Sequence, residues 1–576
     1  MEPIRYTLHT SQRSARLLSI EATFPIHQFG PLKLNLPYWR PGRYERQYYD
    51  RNIGPVTVVQ PGAKITRIGT HEWSILPGNN SVITVTYNYY LNRPDAGGSF
   101  SNENLVYVNP VNCLLMDKNK MNHLAEMQID VPDDFIIASS LPKNNANRFV
   151  ATMDELLDSP FIASNQLTHL TFEINSLQLH LWFEGAQKLE VEKLKKSFEG
   201  FVQAQINLFE NCPCSEYHFL FLITANKSYH GVEHLNSTVI TLGPADKLME
   251  PPLWNDLLSI SSHEFFHLWN VKRIRPKTLL PYDFTQEQYS DLHDITEGIT
   301  TYYGELMVAR GGSWTITELL AEMNVILGRM LDSSGINTVS LSEASWLSWV
   351  NGYHLEGYPD LKISFYHKGA IVAWMLDLYL LKNSDGKVGL DHLMKALWKQ
   401  ASTPDYKGYT REEVLSHLIK FGIPEIDKWY LDKVNTTYDL LPEFSDLLLN
   451  IGFTLKKIET PLNPFLKIGL RVTFSEEGAC VIDRIYPDSP AASSPLHVGD
   501  TLFKILDYPV FPISDHWDTL IHQEGIWTIL YSSRGELKET NINCLPWNIP
   551  ARYSIVQEEN PTPEQIAFCK RWLNGF

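Results

Sequence analysis

The sequence predicts a multidomain α+β protein with an all-β N-terminal part, a mostly helical middle and a smaller β part near the C-terminus. Three observations predict it. A chain of 576 residues exceeds what one core supports, so two to four domains are expected. Up to residue 175 apolar residues alternate in short runs broken by turn clusters, the pattern of a β-sandwich. From 176 to 455 they recur largely at helical spacing, and over 456–545 short alternating runs return before a tail at 546–576.

The composition is that of an ordinary globular protein, 44% hydrophobic and 20% charged. The net charge of −17, from 49 basic against 66 acidic residues, argues against nucleic acid or an anionic membrane surface as partner. The start, Met1 to Leu8, has no apolar leader pattern. No apolar run reaches spanning length, and even Ala370 to Leu381 is broken by Asp377. The cysteines at 113, 212, 214, 480, 544 and 569 have no framework spacing and read as reduced thiols, so a cytoplasmic location is expected. Cys212-Pro213-Cys214 reads as two loop thiols rather than half a metal site, because no second Cys or His pair lies nearby.

In the N-terminal part, Leu17 to Phe24, Ser81 to Tyr87 and Leu170 to Ile174 read as strands, with Pro77-Gly78-Asn79-Asn80 as a turn. Leu36 to Tyr44 is a rigid aromatic loop that could contribute to a binding wall, with packing the simpler role. At Gly185 the period changes. Val191, Leu194, Phe198, Phe201, Val202 and Phe209 mark a helix, and Tyr217 to Thr224 is a buried strand. The next segment, His230-Gly231-Val232-Glu233-His234, leads into a strand over Thr238 to Leu242. An extended peptide could add to such an edge, with Glu233 facing its ammonium terminus. From spacing alone, Glu233 is equally a solvated loop acid.

The apolar stretch Trp254 to Val271 reads as a buried helix containing His263-Glu264-Phe265-Phe266-His267. Histidines four apart share a helical face about one turn apart, so both can reach one ion, with Glu264 beside any water that ion holds. This is the pattern in which zinc takes two histidines and the glutamate is general base. Zinc needs a third protein ligand. Glu297 is the best placed, in an apolar and aromatic segment closed by Gly311-Gly312, with Asp291, His293, Asp294 and Glu305 as rivals. Tyr366 opens another apolar helix, where a hydroxyl could serve an oxyanion or simply pack. The tail from Pro561 to Phe576 reads as an amphipathic helix with Ile566, Phe568 and Trp572 inward.

Four motifs together resemble the glycyl aminopeptidase family of zinc metallopeptidases. They are His263 to Pro276, Glu297 to Tyr303, Gly231 to Ser237 and Tyr366 to Gly369, and Pro37 to Tyr44 also resembles the family's N-terminal domain. The resemblance implies a thermolysin-like, mostly helical zinc catalytic domain of gluzincin type over 176–455. It implies one zinc on His263, His267 and Glu297, with Glu264 as base, Tyr366 at the oxyanion, and Gly231 and Glu233 on the substrate edge. Peptides with a free, small N-terminal residue such as Gly or Ala are the implied substrates. The lead-in Leu292 to Thr296 departs from the family's usual Trp-containing one and leaves the third ligand the least secured.

The C-terminal region resembles a permuted PDZ domain. Ile468-Gly469-Leu470-Arg471 would be the loop receiving a peptide C-terminus, and Ser489 to Ala492 and Gly499-Asp500 match other landmarks. Asp507-Tyr508-Pro509 lacks the usual glycine turn. Rival readings are an endopeptidase on the same zinc site, a PDZ-type binding protein with a vestigial hydrolase domain, and a structural zinc site. The kept base Glu264 disfavours the second, and the shortage of a fourth protein ligand disfavours the third.

Overall fold

The computed structural model describes the chain except residues 1, 27–29, 143–147, 334, 354–357, 359–360, 459–462, 476–477, 512–515 and 548. It divides into two units, Met1–Thr454 with Gln557–Phe576, and Leu455–Val556.

The first 165 residues are β-rich. Leu17–Pro25 and Val82–Tyr90 pair antiparallel, with Leu18 opposite Tyr89, Ile20 opposite Tyr87, Ala22 opposite Val85 and Phe24 opposite Ile83. Period-two alternation sends all of these into one buried core. Six strands form this sheet, and its Ile4–His9 strand runs parallel to Leu124–Asp130. A three-stranded and a four-stranded sheet share the same core. The loop Leu36 to Tyr44 does pack there, with Trp39 against Tyr44, Tyr282, Phe284 and Trp349.

The strand Thr168–Ile174, grouped from sequence with the sandwich, instead pairs with Leu177–Glu184 at the border of the next sheet. Asn175, left-handed at φ 55°, makes the tight turn between them, a conformation asparagine tolerates. Alternation tells a strand from a helix but not which sheet the strand joins. This second sheet has five strands and ends in Ser228–Glu233, paired antiparallel to Ser237–Gly243 and open on its other side. The helices Val191–Phe209 and Leu253–Phe266 cover its inner face through Phe198, Phe201, Tyr217, Phe219 and Phe265.

Two sequence expectations are corrected in the helices. The helix read over Trp254 to Val271 ends at Phe266. Asn270 turns its side chain to the neighbouring helix, donating to Ile295 O at 2.8 Å and Thr300 Oγ1 at 2.9 Å, and Val271 takes a positive φ of 119°. In the terminal helix Pro563–Asn574, Trp572 is buried and stacks on Trp374 at 5.4 Å. Ile566, however, is 41% exposed, while its neighbour Gln565 donates to Leu449 O.

No helix among the described residues is long and apolar enough to cross a membrane.

The second unit is a β-sheet with Leu470–Phe474 at its border, accompanied by the short helices Pro464–Lys467 and Trp517–His522. Its core includes Phe465, Ile468, Leu470, Trp527 and Ile529. In the expected terminus-binding loop, two donors are already spent. The amides of Ile468 and Gly469 bond to the carbonyls of Phe465 and Leu466 at 3.2 and 3.0 Å. They cap the preceding helical turn, a demand the tetrapeptide alone does not reveal.

Candidate active site

Each part of the site is held by a different element. His263 lies in the last turn of Leu253–Phe266, and His267 is the residue that ends it, still helical at φ −61°. His267 Nδ1 donates to Asn270 O at 2.7 Å, which leaves Nε2 free to act as a ligand. Glu297 comes from a wide π-helical turn, Asp294–Ile299, immediately before the helix Thr300–Arg310. Such turns gather at functional sites because they re-aim a side chain without ending the helix. Gly298 permits this one: a Cβ there would lie 2.7 Å from the Gly369 backbone. Gly304, six residues further on, lets His263 pack close.

The three side chains converge. His263 Nε2 and His267 Nε2 are 3.1 Å apart, and Glu297 Oε2 is 3.8 and 3.4 Å from them. Donors bonded to one tetrahedral zinc at ~2.0–2.2 Å lie ~3.4 Å from each other, so this set fits the ion without rearrangement. The electrostatics favour a cation at that point. Burial holds His263 neutral, well below its usual range. Burial also opposes charge on His267, but Glu297, Glu233 and Glu264 override it and raise the ring to about 10. Burial raises both Glu264 and Glu297, helped by the neighbouring Glu233.

The rivals to Glu297 are occupied elsewhere. Asp294 accepts from Arg411 at 2.8 and 2.9 Å and from Tyr430 at 2.5 Å. Asp291 faces the same arginine. His293 packs its ring against that of Tyr44, centroids 4.0 Å apart, and Glu305 accepts from Ser259 at 2.7 Å.

Glu233 ends the open edge strand and is 4% exposed, which removes the solvated-loop alternative. Its carboxylate, that of Glu264 and the His267 ring offer ligand atoms within 4.8 Å of one another. Glu233 Oε1 and Glu264 Oε2 are buried with no hydrogen-bond partner among the described residues. Two glycines shape this pocket. A Cβ on Gly231 would sit 2.2 Å from Glu264 Oε1, and one on Gly42 would sit 2.3 Å from Glu233 Oε2. The aromatic loop of the N-terminal part therefore does more than pack: Gly42, at φ +77°, forms a wall of the site. Its Arg-Pro-Gly-Arg sequence is the signal that could have indicated this. Tyr366 is the second residue of the helix Phe365–Asn383, its ring 6.5 Å from that of His263 and its hydroxyl 3.5 Å from that of Tyr353. Burial and Glu297 hold its hydroxyl well above the usual range, so it stays a proton donor.

Two family models match this chain, one described as M61 glycyl aminopeptidase over residues 256–372 and one as the peptidase M61 N-terminal domain over 5–165. The chain thus matches the M61 glycyl aminopeptidase family over these two stretches. It is therefore a peptidase, and the first match spans His263, Glu264, His267, Glu297 and Tyr366 while the second takes in the Gly42 loop. Among solved structures, an aminopeptidase N family protein from Idiomarina loihiensis is 24% identical over 99% of this chain and 100% of that one, with a TM-score of 0.89. That likeness is one of fold. An M1 zinc metallopeptidase from Deinococcus radiodurans is 13% identical over 76% of this chain and 94% of its own, at a TM-score of 0.46. No curated protein sequence matches the chain.

Proposed function

We propose that this M61 peptidase is a zinc-dependent aminopeptidase that hydrolyses the first bond of peptides with a small N-terminal residue, Gly or Ala preferred. One zinc per chain is held by His263, His267 and Glu297. The observation that carries the reading is the buried Glu233 carboxylate with an unpartnered oxygen, next to the convergent ligand set and on an open sheet edge. A zinc ion held there would supply Lewis acidity, lowering the pKa of a water towards ~7 and polarising the scissile carbonyl.

This chain's residues do the rest. Glu264 takes the proton of the attacking water and passes it to the leaving amine, a task suited to a carboxylate whose proton affinity burial has raised. Glu233 receives the substrate's α-ammonium, which penalises blocked N-termini because its buried charge would then stay unpaired. The backbone at Gly231 offers its free edge to the peptide, and Tyr366 donates to the carbonyl oxygen as charge develops there. The Gly/Ala preference rests on the family's name and on the crowding by Gly42 at Glu233. We also propose that Leu455–Val556 is a PDZ-like β domain; its sheet bordered by Leu470–Phe474 supports that reading.

The test compares glycyl and alanyl p-nitroanilides with their N-acetylated twins, using the native protein, Glu264→Gln and chelated enzyme. Release from the free amines only, lost in the variant, lost on chelation and restored by zinc, is expected. Equal cleavage of the blocked twin would move the reading to an endopeptidase.

A further inference from the structure

Asp158 attracts no attention as a sequence position, following the short helix Met153–Leu157 at the end of the N-terminal part. Its carboxylate faces away from that part. Oδ1 accepts from His234 Nδ1 at 3.0 Å and from Lys272 Nζ at 3.0 Å. Oδ2 accepts from the Leu235 amide at 2.9 Å and lies 2.8 Å from Lys272 Nζ. All three partners belong to the catalytic part. His234 and Leu235 are the two residues that follow Glu233, and Lys272 follows the histidine helix by a single turn. The Lys272 side chain is 1% exposed, so the pair is shielded from water and from salt. Burial works against the Asp158 charge, but Lys272 and His234 outweigh it and hold the carboxyl well below its usual range. Asp158, Glu233, His234 and Arg40 line one small cavity.

The position of Glu233 needs such a tether. Its carboxylate stands beside those of Glu264 and Glu297, which repel it, and it ends a strand with no neighbour on one side. What lies beyond the strand end therefore sets its place: Arg273 donates to Leu235 O at 3.0 Å and Asn236 Oδ1 at 2.8 Å, and Asp158 holds the Leu235 amide and His234 from the other side. We propose that Asp158 is the positioning residue of the ammonium subsite: by fixing the His234–Leu235 turn to the exit of the histidine helix, it sets the distance between Glu233 and the metal ligands. Through Asp158, which does not itself touch substrate, the N-terminal part thereby controls substrate register. The inference rests on Glu233 as reader of the α-ammonium, and the experiment separates the two.

The full-length enzyme, Asp158→Asn, Glu233→Gln and the double variant are assayed on glycine p-nitroanilide and its N-acetyl twin. Zinc affinity is followed by chelator competition, and inhibition by acetohydroxamate, which has no ammonium, is measured in parallel. Asp158→Asn keeps the shape but loses the charge. It is expected to lower kcat/KM for the free amine by about 10–100-fold while zinc affinity and acetohydroxamate inhibition stay within about twofold of native. In the double variant it is expected to cost nothing beyond Glu233→Gln, because it acts through that residue. A full additional loss in the double variant, or equal loss of acetohydroxamate binding, overturns the inference. If the native enzyme cleaves both twins alike, the reading of Glu233 itself fails and the inference falls with it. Should Asp158→Asn not fold, His234→Gln, which loosens the same tether from its other end, is expected to show the same non-additivity; additive losses there overturn the inference equally.

Discussion

Replacing Gly231 by alanine tests the geometry of Glu264, the proposed general base, with one methyl group. The added Cβ would stand 2.2 Å from Glu264 Oε1, 2.7 Å from Cδ and 2.9 Å from Cγ. Ordinary contact needs roughly 1 Å more than the closest of these, so the carboxylate must retreat by about that much. Gly231 has no positive φ, so the strand accepts alanine, and folding stability is expected to stay level or rise by up to ~1 kcal/mol. A displacement of ~1 Å at a catalytic group costs about 10²-fold in rate, about 2.7 kcal/mol. The assay is steady-state hydrolysis of glycine p-nitroanilide alongside chemical denaturation, in native and Glu264→Asp backgrounds. Glu264→Asp is already one methylene short, so there the alanine is expected to cost less than ~3-fold. A Gly231→Ala enzyme that keeps more than about a third of native kcat/KM would refute the reasoning, as would an equal loss in both backgrounds.

Three further expectations follow from particular contacts. Asn270→Ala cuts the side-chain bonds to Ile295 O and Thr300 Oγ1 that hold the Glu297 turn against the histidine helix, and zinc affinity by chelator competition is expected to fall about 10–100-fold; unchanged affinity would count against that role. Burial keeps His218 and His293 neutral, at about 3 each, whereas the unfolded chain takes up protons below ~6.5. Stability therefore falls as pH drops from 7.5 to 5.5, by about 1.4 kcal/mol per histidine; guanidinium melts should show a smaller fall in His218→Gln, and an equal fall would exclude the histidine as a source. Cys212 and Cys214 place their sulfurs 3.9 Å apart, and the hydrogen bond from Cys214 brings the Cys212 thiol down to about 7. Iodoacetamide followed by peptide mapping is expected to label Cys212 first with a midpoint near that value, and a midpoint at or above about 9 would contradict the contact.

What could be read without coordinates was what backbone periodicity imposes locally. His263 and His267 share a face because a helix repeats every 3.6 residues, and Glu264 sits beside them for the same reason. The alternating runs of the N-terminal part and the buried strand Tyr217 to Thr224 were legible because burial follows side-chain period. Even the edge segment ending in Glu233 could be named as a candidate from its residue types. Its burial could not, and the preference for Glu297 over Asp294 rested on the apolar segment around it, since the long intervening chain sets no distance. That choice was made by packing: Arg411 and Tyr430 claim Asp294, while a π-turn seated on Gly369 aims Glu297 at the histidines. The same holds for Gly42 against Glu233 and for Asp158 beneath the turn that follows it. Each joins segments more than 70 residues apart, and only the burial of many side chains together brings such groups within reach.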